Sequence, residues 1–149
     1  MTTDGFHVYD TTLRDGAQQE GLSLSVHDKL SIARHLDELG VGFIEGGWPG
    51  ASPKDTEFFA TAQTELVLRN ATLAAFGATR RPHVRAEDDP LVRALVDAGT
   101  PVVTLVAKSH TGHVERALRT TLDENLAMVR DTVAFLVGLG RRVFLDAEH

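Results

Sequence analysis

No cysteine occurs in the 149 residues, which excludes disulfides and thiolate-ligated metal sites and agrees with a reducing compartment. Basic blocks are missing too. The pairs Arg80-Arg81 and Arg141-Arg142 are separated by acidic segments, and the formal net charge of -6 excludes the electrostatic footprint of a nucleic-acid binder. The start, MTTDGFHVYD, carries neither a basic cluster nor an apolar run, so it does not resemble a signal peptide. No apolar run approaches the length of a membrane span. These absences predict a cytoplasmic protein with neither nucleic acid nor membrane as a partner, and they leave any anionic ligand to be met by local groups.

The hydrophobic fraction of 42% and the charged fraction of 24% are those of a chain that folds around one core. Four times a short apolar run is followed by a helix with a recognisable start. FHVYD leads to Ser25, which makes a capping-box pattern with Asp28 ahead of Leu30, Ala33, Leu36 and Leu39, and Gly40 stops the helix. VGFIEGG precedes Ser52-Pro53 and a stripe of Phe58, Phe59, Ala62 and Leu66. ATLAAFGA is followed by a polar loop and by Asp89-Pro90, with Leu91, Leu95 and Ala98 on one face. PVVTLVA leads through the loop KSHTGHVERALRT to Thr121 and Glu124, which open a helix whose expected apolar face is Leu122, Leu126, Val129, Val133 and Leu136. RRVFLDAEH reads as a fifth strand.

Apolar strands joined by helices predict a parallel α/β sheet. The polar residues then decide between barrel and open sheet. Asp10, Arg14 and Asp15 follow strand one, Glu45 ends strand two, Lys108 follows strand four, and Glu148 and His149 lie on strand five. Charges at so many successive carboxyl ends favour a (β/α) barrel of TIM type, whose strand ends converge on one mouth. A whole barrel takes roughly 250 residues. Residues 1–149 are therefore expected to form the amino-terminal half of a TIM-barrel catalytic domain, about four βα units plus strand five, either as part of a longer enzyme or covered by another copy in a homo-oligomer.

Arg14 and Asp15 in TLRDG admit two readings: a structural ion pair at a strand end with Gly16 making the turn, or a site. YDTTLRDGAQQ, FIEGGWPGASPKD, FGATRR, ALRTTLDENLAMVRDTVAFL and the terminal DAEH decide for the site, because together they resemble the isopropylmalate, homocitrate and citramalate synthase family of DRE-TIM metallolyases, and most nearly its citramalate synthase branch. The likeness runs along essentially the whole chain.

That resemblance implies a metal-dependent Claisen-type acyltransferase that condenses acetyl-CoA, as co-substrate, with a 2-oxo acid. Pyruvate, giving citramalate for isoleucine synthesis, is the leading substrate; a larger oxo acid, as isopropylmalate and homocitrate synthases use, is the alternative. A non-catalytic half-barrel assembly module is a third reading. Asp15 corresponds to the strand-one ligand of a divalent cation, Mg²⁺, Mn²⁺ or Zn²⁺. Arg14 corresponds to the group beside the keto oxygen, Glu45 to its orienting partner, and Gln18 to an amide offered to substrate or to metal-bound water. Glu148 matches the strand-five glutamate near the acetyl group, as a proton-transfer group or as one that positions water or a base. Arg80 is a candidate contact for CoA phosphates or a substrate carboxylate, or part of a solvated loop.

The family completes its metal site with an H-x-H pair on strand seven, and none occurs here. His110 and His113 are expected to bind no metal, and metal affinity within these residues is expected to be weak. GGWPG lacks the spacing of a phosphate loop and reads as a turn shaping a pocket rim.

Overall fold

The computed structural model describes residues 5–148. His149, placed beside Glu148 by the sequence pattern, lies outside them. Five strands, β1 (Tyr9–Asp10), β2 (Phe43–Glu45), β3 (Thr72–Ala78), β4 (Val102–Lys108) and β5 (Arg142–Glu148), form one sheet in the order 1-2-3-4-5, parallel throughout. An open doubly wound sheet reverses its strand order at a switch point. This one never reverses, so it is a half-barrel, with β1 and β5 at its two edges.

The helices α1 (Val26–Leu39), α2 (Pro53–Glu65), α3 (Pro90–Asp97), α4 (Thr111–Arg116) and α5 (Leu122–Gly138) follow the strands. Their starts are those the sequence predicts. Ser25 and Asp28 close a reciprocal capping box, and the Ser52, Asp89 and Thr121 side chains each accept from backbone N–H groups of the first turn. Strand side chains alternate between two faces. Ile44, Ala75, Val103 and Leu105 point outward into the main core with Leu30, Ala33, Phe58, Phe59, Val92 and Leu95 from the helices. Phe43, Ala74 and Val102, with Tyr9 and Phe144 against them, form a smaller cluster on the other, concave face.

Three expectations shift. The loop after β4 contains the short helix α4, capped by the His110 side chain, whose Nδ1 accepts from Gly112 N. On α5 the buried stripe is Asn125, Met128, Thr132 and Leu136, while Leu122 and Leu126 are exposed, Leu126 at 67%. Tertiary hydrogen bonds fix that rotation. Asn125 Nδ2 donates to the Lys108 carbonyl, and Thr132 Oγ1 accepts from Arg80 N, so the helix presents its polar side chains to strand ends that need partners. Leu39, expected in the α1 stripe, is exposed in the last turn before the left-handed Gly40.

Candidate active site

The chain leaves β1 in a tight helical turn. Asp10 anchors its start by accepting from Thr12 N and Thr12 Oγ1, and both Arg14 N and Gly16 N donate to the Thr11 carbonyl. Leu13 packs into the core at 1% exposure, which fixes the rotation of the turn. Successive residues of a helical turn project about 100° apart. Arg14 and Asp15 therefore differ in setting: the Arg14 side chain is 18% exposed, the Asp15 side chain is 66% exposed, and the two meet as an ion pair at 3.6 Å. Of the two, Arg14 is on the wall of the cavity described below and Asp15 is not.

The inward position of Arg14 is built by three elements. Glu45, buried at the end of β2, accepts from Arg14 Nε at 2.5 Å through Oε1. Phe76 of β3 lies beneath the guanidinium, 3.9 Å from its central carbon to the ring centroid, a cation–π contact. Tyr9 of β1 donates to the other Glu45 oxygen, Oε2, at 2.5 Å, and lies 2.6 Å from Thr104 Oγ1 on β4. Burial first, and then the Glu45 carboxylate, push the Tyr9 pKa well above its ordinary value. Nε of Arg14 is thus committed, whereas its two terminal nitrogens make no hydrogen bond to a described residue.

The segment after Glu45 explains why the backbone can hold it there. A Cβ on Gly46 would lie 2.7 Å from the Phe58 ring, and Gly47, at a φ of 149°, has the Asp55 carboxylate where a side chain would stand. Asp55 accepts from Trp48 N at 2.9 Å and from the buried Lys29 Nζ at 2.5 Å. FIEGGWPGASPKD is therefore a strand end, two close-packed glycines and the aspartate that clamps them, in keeping with a turn that shapes a rim.

A cavity of ≈ 470 Å³ opens at the carboxyl ends of β3, β4 and β5. Its wall includes Arg14, Gln18, Trp48, Phe76, Arg80, Lys108 and Glu148. That size lies within the range of about 300–1,000 Å³ typical of small-molecule sites. Lys108 and Glu148 stand opposite each other in register and form an ion pair across β4 and β5. Gln18 is exposed on the 3-10 turn Gly16–Gln18, at the rim.

Arg80 reaches the same wall with its donors occupied. Nε and Nη2 go to Asp131 Oδ2, and Nη1 to Glu124 Oε1 at 2.7 Å and to the Arg81 carbonyl. Burial lowers the Arg80 pKa, but the hydrogen bonds from Glu124 and Asp131 outweigh it and hold the guanidinium above its ordinary value. The pair Arg80-Arg81 thus ties β3 to α5 and, through Arg81 and Asp89, to the start of α3.

Tyr9, Phe76 and Thr104 are site residues that sequence reasoning passed over. Thr104 had a signal: it is the one polar residue inside PVVTLVA and shares strand parity with Lys108. Phe76 had none without the register that sets it opposite Thr104. Asp15 is the sole predicted metal ligand, and among the described residues no group of three His, Cys, Asp or Glu converges.

The chain is 67% identical over 146 residues to an (R)-citramalate synthase of Streptomyces coelicolor, which covers 98% of this chain and 27% of that protein. It is 37% identical over 134 residues to a 2-isopropylmalate synthase of Stenotrophomonas maltophilia, covering 90% of this chain and 25% of the relative. This chain thus spans about a quarter of the length of those curated relatives. Among solved structures, a hydroxymethylglutaryl-CoA lyase from Pseudomonas aeruginosa superposes with a TM-score of 0.69 at 20% identity, over 93% of this chain and 44% of that one, a likeness of fold. Residues 6–149 match the HMGL-like family, and the chain belongs to it.

Proposed function

We propose that this chain is the amino-terminal half-barrel of an acyltransferase that condenses acetyl-CoA with pyruvate to give citramalate and free CoA. The observation that carries the reading is Arg14: a guanidinium clamped by Glu45 and Phe76, its terminal nitrogens without a hydrogen bond to a described residue and Nη1 ion-paired with Asp15 at 3.6 Å, at the wall of a cavity at the strand carboxyl ends. The higher identity to relatives named citramalate synthase than to those named 2-isopropylmalate synthase supports pyruvate over a larger oxo acid.

In this reaction the acetyl methyl group loses a proton and its carbon bonds to the keto carbon. The keto oxygen gains the negative charge and then a proton, and water cleaves the thioester to a carboxylate and the CoA thiol. Arg14 places a fixed fork of donors where that oxyanion develops, in a setting where such donors act strongly because they need not reorganise. Glu45 and Phe76 hold the fork. Glu148, paired with Lys108 on the same wall, is positioned for proton transfer to or from the acetyl group or for orienting water. Gln18 offers its amide at the rim. Arg80 stiffens the wall between β3 and α5, and a contact to the CoA phosphates or the substrate carboxylate would have to share donors now held by Glu124 and Asp131.

Asp15, an exposed carboxylate beside Arg14, fits one ligand of a divalent cation such as Mg²⁺, Mn²⁺ or Zn²⁺, and the other donors would come from chain outside the described residues. Such a cation, when bound, supplies polarisation of the keto group. The reading carries with it a cytoplasmic homo-oligomer that acts on small molecules and serves isoleucine synthesis. No helix among the described residues is long and apolar enough to cross a membrane.

The test is thiol release from acetyl-CoA by the full-length protein that carries this chain, with pyruvate, with 2-oxoisovalerate and with no oxo acid. Release that requires pyruvate is the expected result. A preference for 2-oxoisovalerate would reassign the substrate, and no release with any oxo acid would refute the reading.

A further inference from the structure

We propose that Tyr9 is a positioning residue which, with Thr104 behind it, fixes the Glu45 carboxylate so that Arg14 turns its terminal nitrogens toward the reacting oxo acid; this rests on the function proposed above. The direction of each bond follows from chemistry. An ionised carboxylate only accepts, so at the 2.5 Å contact Tyr9 Oη must donate to Glu45 Oε2. That uses the one phenolic proton. The 2.6 Å contact between Tyr9 Oη and Thr104 Oγ1 is then a bond that Thr104 donates. A directed chain results, from Thr104 on β4 through Tyr9 on β1 to Glu45 on β2, whose remaining oxygen Oε1 accepts from Arg14 Nε.

Tyr9 suits this role by its surroundings, which press on both its proton and its ring. Its environment favours the protonated phenol, and its ring sits against Phe43 and Phe144, with centroids at 6.1 and 6.0 Å. Glu45 is 1% exposed, so water does not replace a missing donor there. Removing the phenol oxygen leaves a buried carboxylate oxygen without a donor. The carboxylate then turns to find one and takes the Arg14 fork with it.

The variant Tyr9→Phe keeps the ring and deletes only the donor. In the full-length protein it is expected to lower kcat for oxo-acid-dependent thiol release by about 10–100-fold, with KM for acetyl-CoA changed by less than about twofold. In an Arg14→Lys background the same substitution is expected to cost less than about twofold, because its effect passes through Arg14. Equal losses in the two backgrounds, or a kcat for Tyr9→Phe within about twofold of the unaltered protein, would overturn the proposal. Should Tyr9→Phe not fold, Thr104→Val takes its place: a kcat lowered by about threefold or more supports the chain of bonds, and an unchanged kcat overturns it. If the unaltered protein releases no thiol with any oxo acid, the proposed function fails, and the positioning is decided by a crystal structure of Tyr9→Phe. A turned Glu45 carboxylate that has lost Arg14 Nε supports it, and the bond unchanged contradicts it.

Discussion

Arg14 and Arg80 line the same cavity, and each is paired with a glutamate, yet the two guanidinium groups are used in opposite ways. Arg80 gives Nε, Nη1 and Nη2 to Asp131, Glu124 and the Arg81 carbonyl, with side-chain exposure of 6%. Arg14 gives Nε to Glu45, rests its face on Phe76 and makes no further hydrogen bond to a described residue. Exposure differs only from 6% to 18%, so burial does not separate them. What separates them is the number of donors still uncommitted. An arginine with every nitrogen engaged joins elements; one held by a single edge and a face keeps donors that make no hydrogen bond to a described residue.

Substitutions sharpen that difference in descending order. Arg14→Lys keeps the charge and loses the fork, and kcat in the full-length protein is expected to fall by about 10²–10³-fold, while the thermal midpoint moves little. Arg80→Met reverses the pattern. It leaves Glu124 and Asp131 without their shared partner and is expected to lower the thermal midpoint, with kcat changed by only a few-fold. Thermal unfolding and thiol release measured on both variants check the crossing of the two effects.

Acid sharpens the same contrast from the stability side. Asp37, Asp89, Glu124 and Asp131 all hold pKa values below their ordinary range. Backbone N–H donors outweigh burial at the first two, the His83 N–H and then Arg80 act on Glu124, and Arg80 followed by Arg130 act on Asp131. Depressed folded-state values mean that their stabilisation is fully present above the ordinary carboxylate range and is lost as pH falls through that range and the lowered values beneath it. In Arg80→Met the part of that loss owed to Glu124 and Asp131 should shrink, which midpoints recorded across this range would show. Phe76→Leu is the smallest change: losing the cation–π face is expected to cost about 1 kcal/mol of Arg14 orientation and therefore about fivefold in kcat.

Much of this frame was legible in the sequence. Ser25, Ser52, Asp89 and Thr121 mark helix starts because a cap is a local event, decided by a few residues in a row. Charges at successive strand ends implied a common mouth, and Arg14, Glu45, Gln18, Arg80 and Glu148 do come together there, with Glu45 lining the wall indirectly through Arg14. What was not legible depends on rotation and register. Asp15 stands exposed and off the cavity wall because Leu13 sets the rotation of its turn, and Leu126 lies in solvent because Asn125 and Thr132 are needed at strand ends. Tyr9 and Thr104 meet across 95 positions, a contact that only the pairing of four strands creates.

The account is tested most directly by a crystal structure of the full-length protein with pyruvate bound. It predicts a substrate oxygen within hydrogen-bond reach of a terminal nitrogen of Arg14, with Arg80 still holding Glu124 and Asp131. Pyruvate seated on Arg80, with those two carboxylates released and Arg14 remote from the ligand, would contradict it.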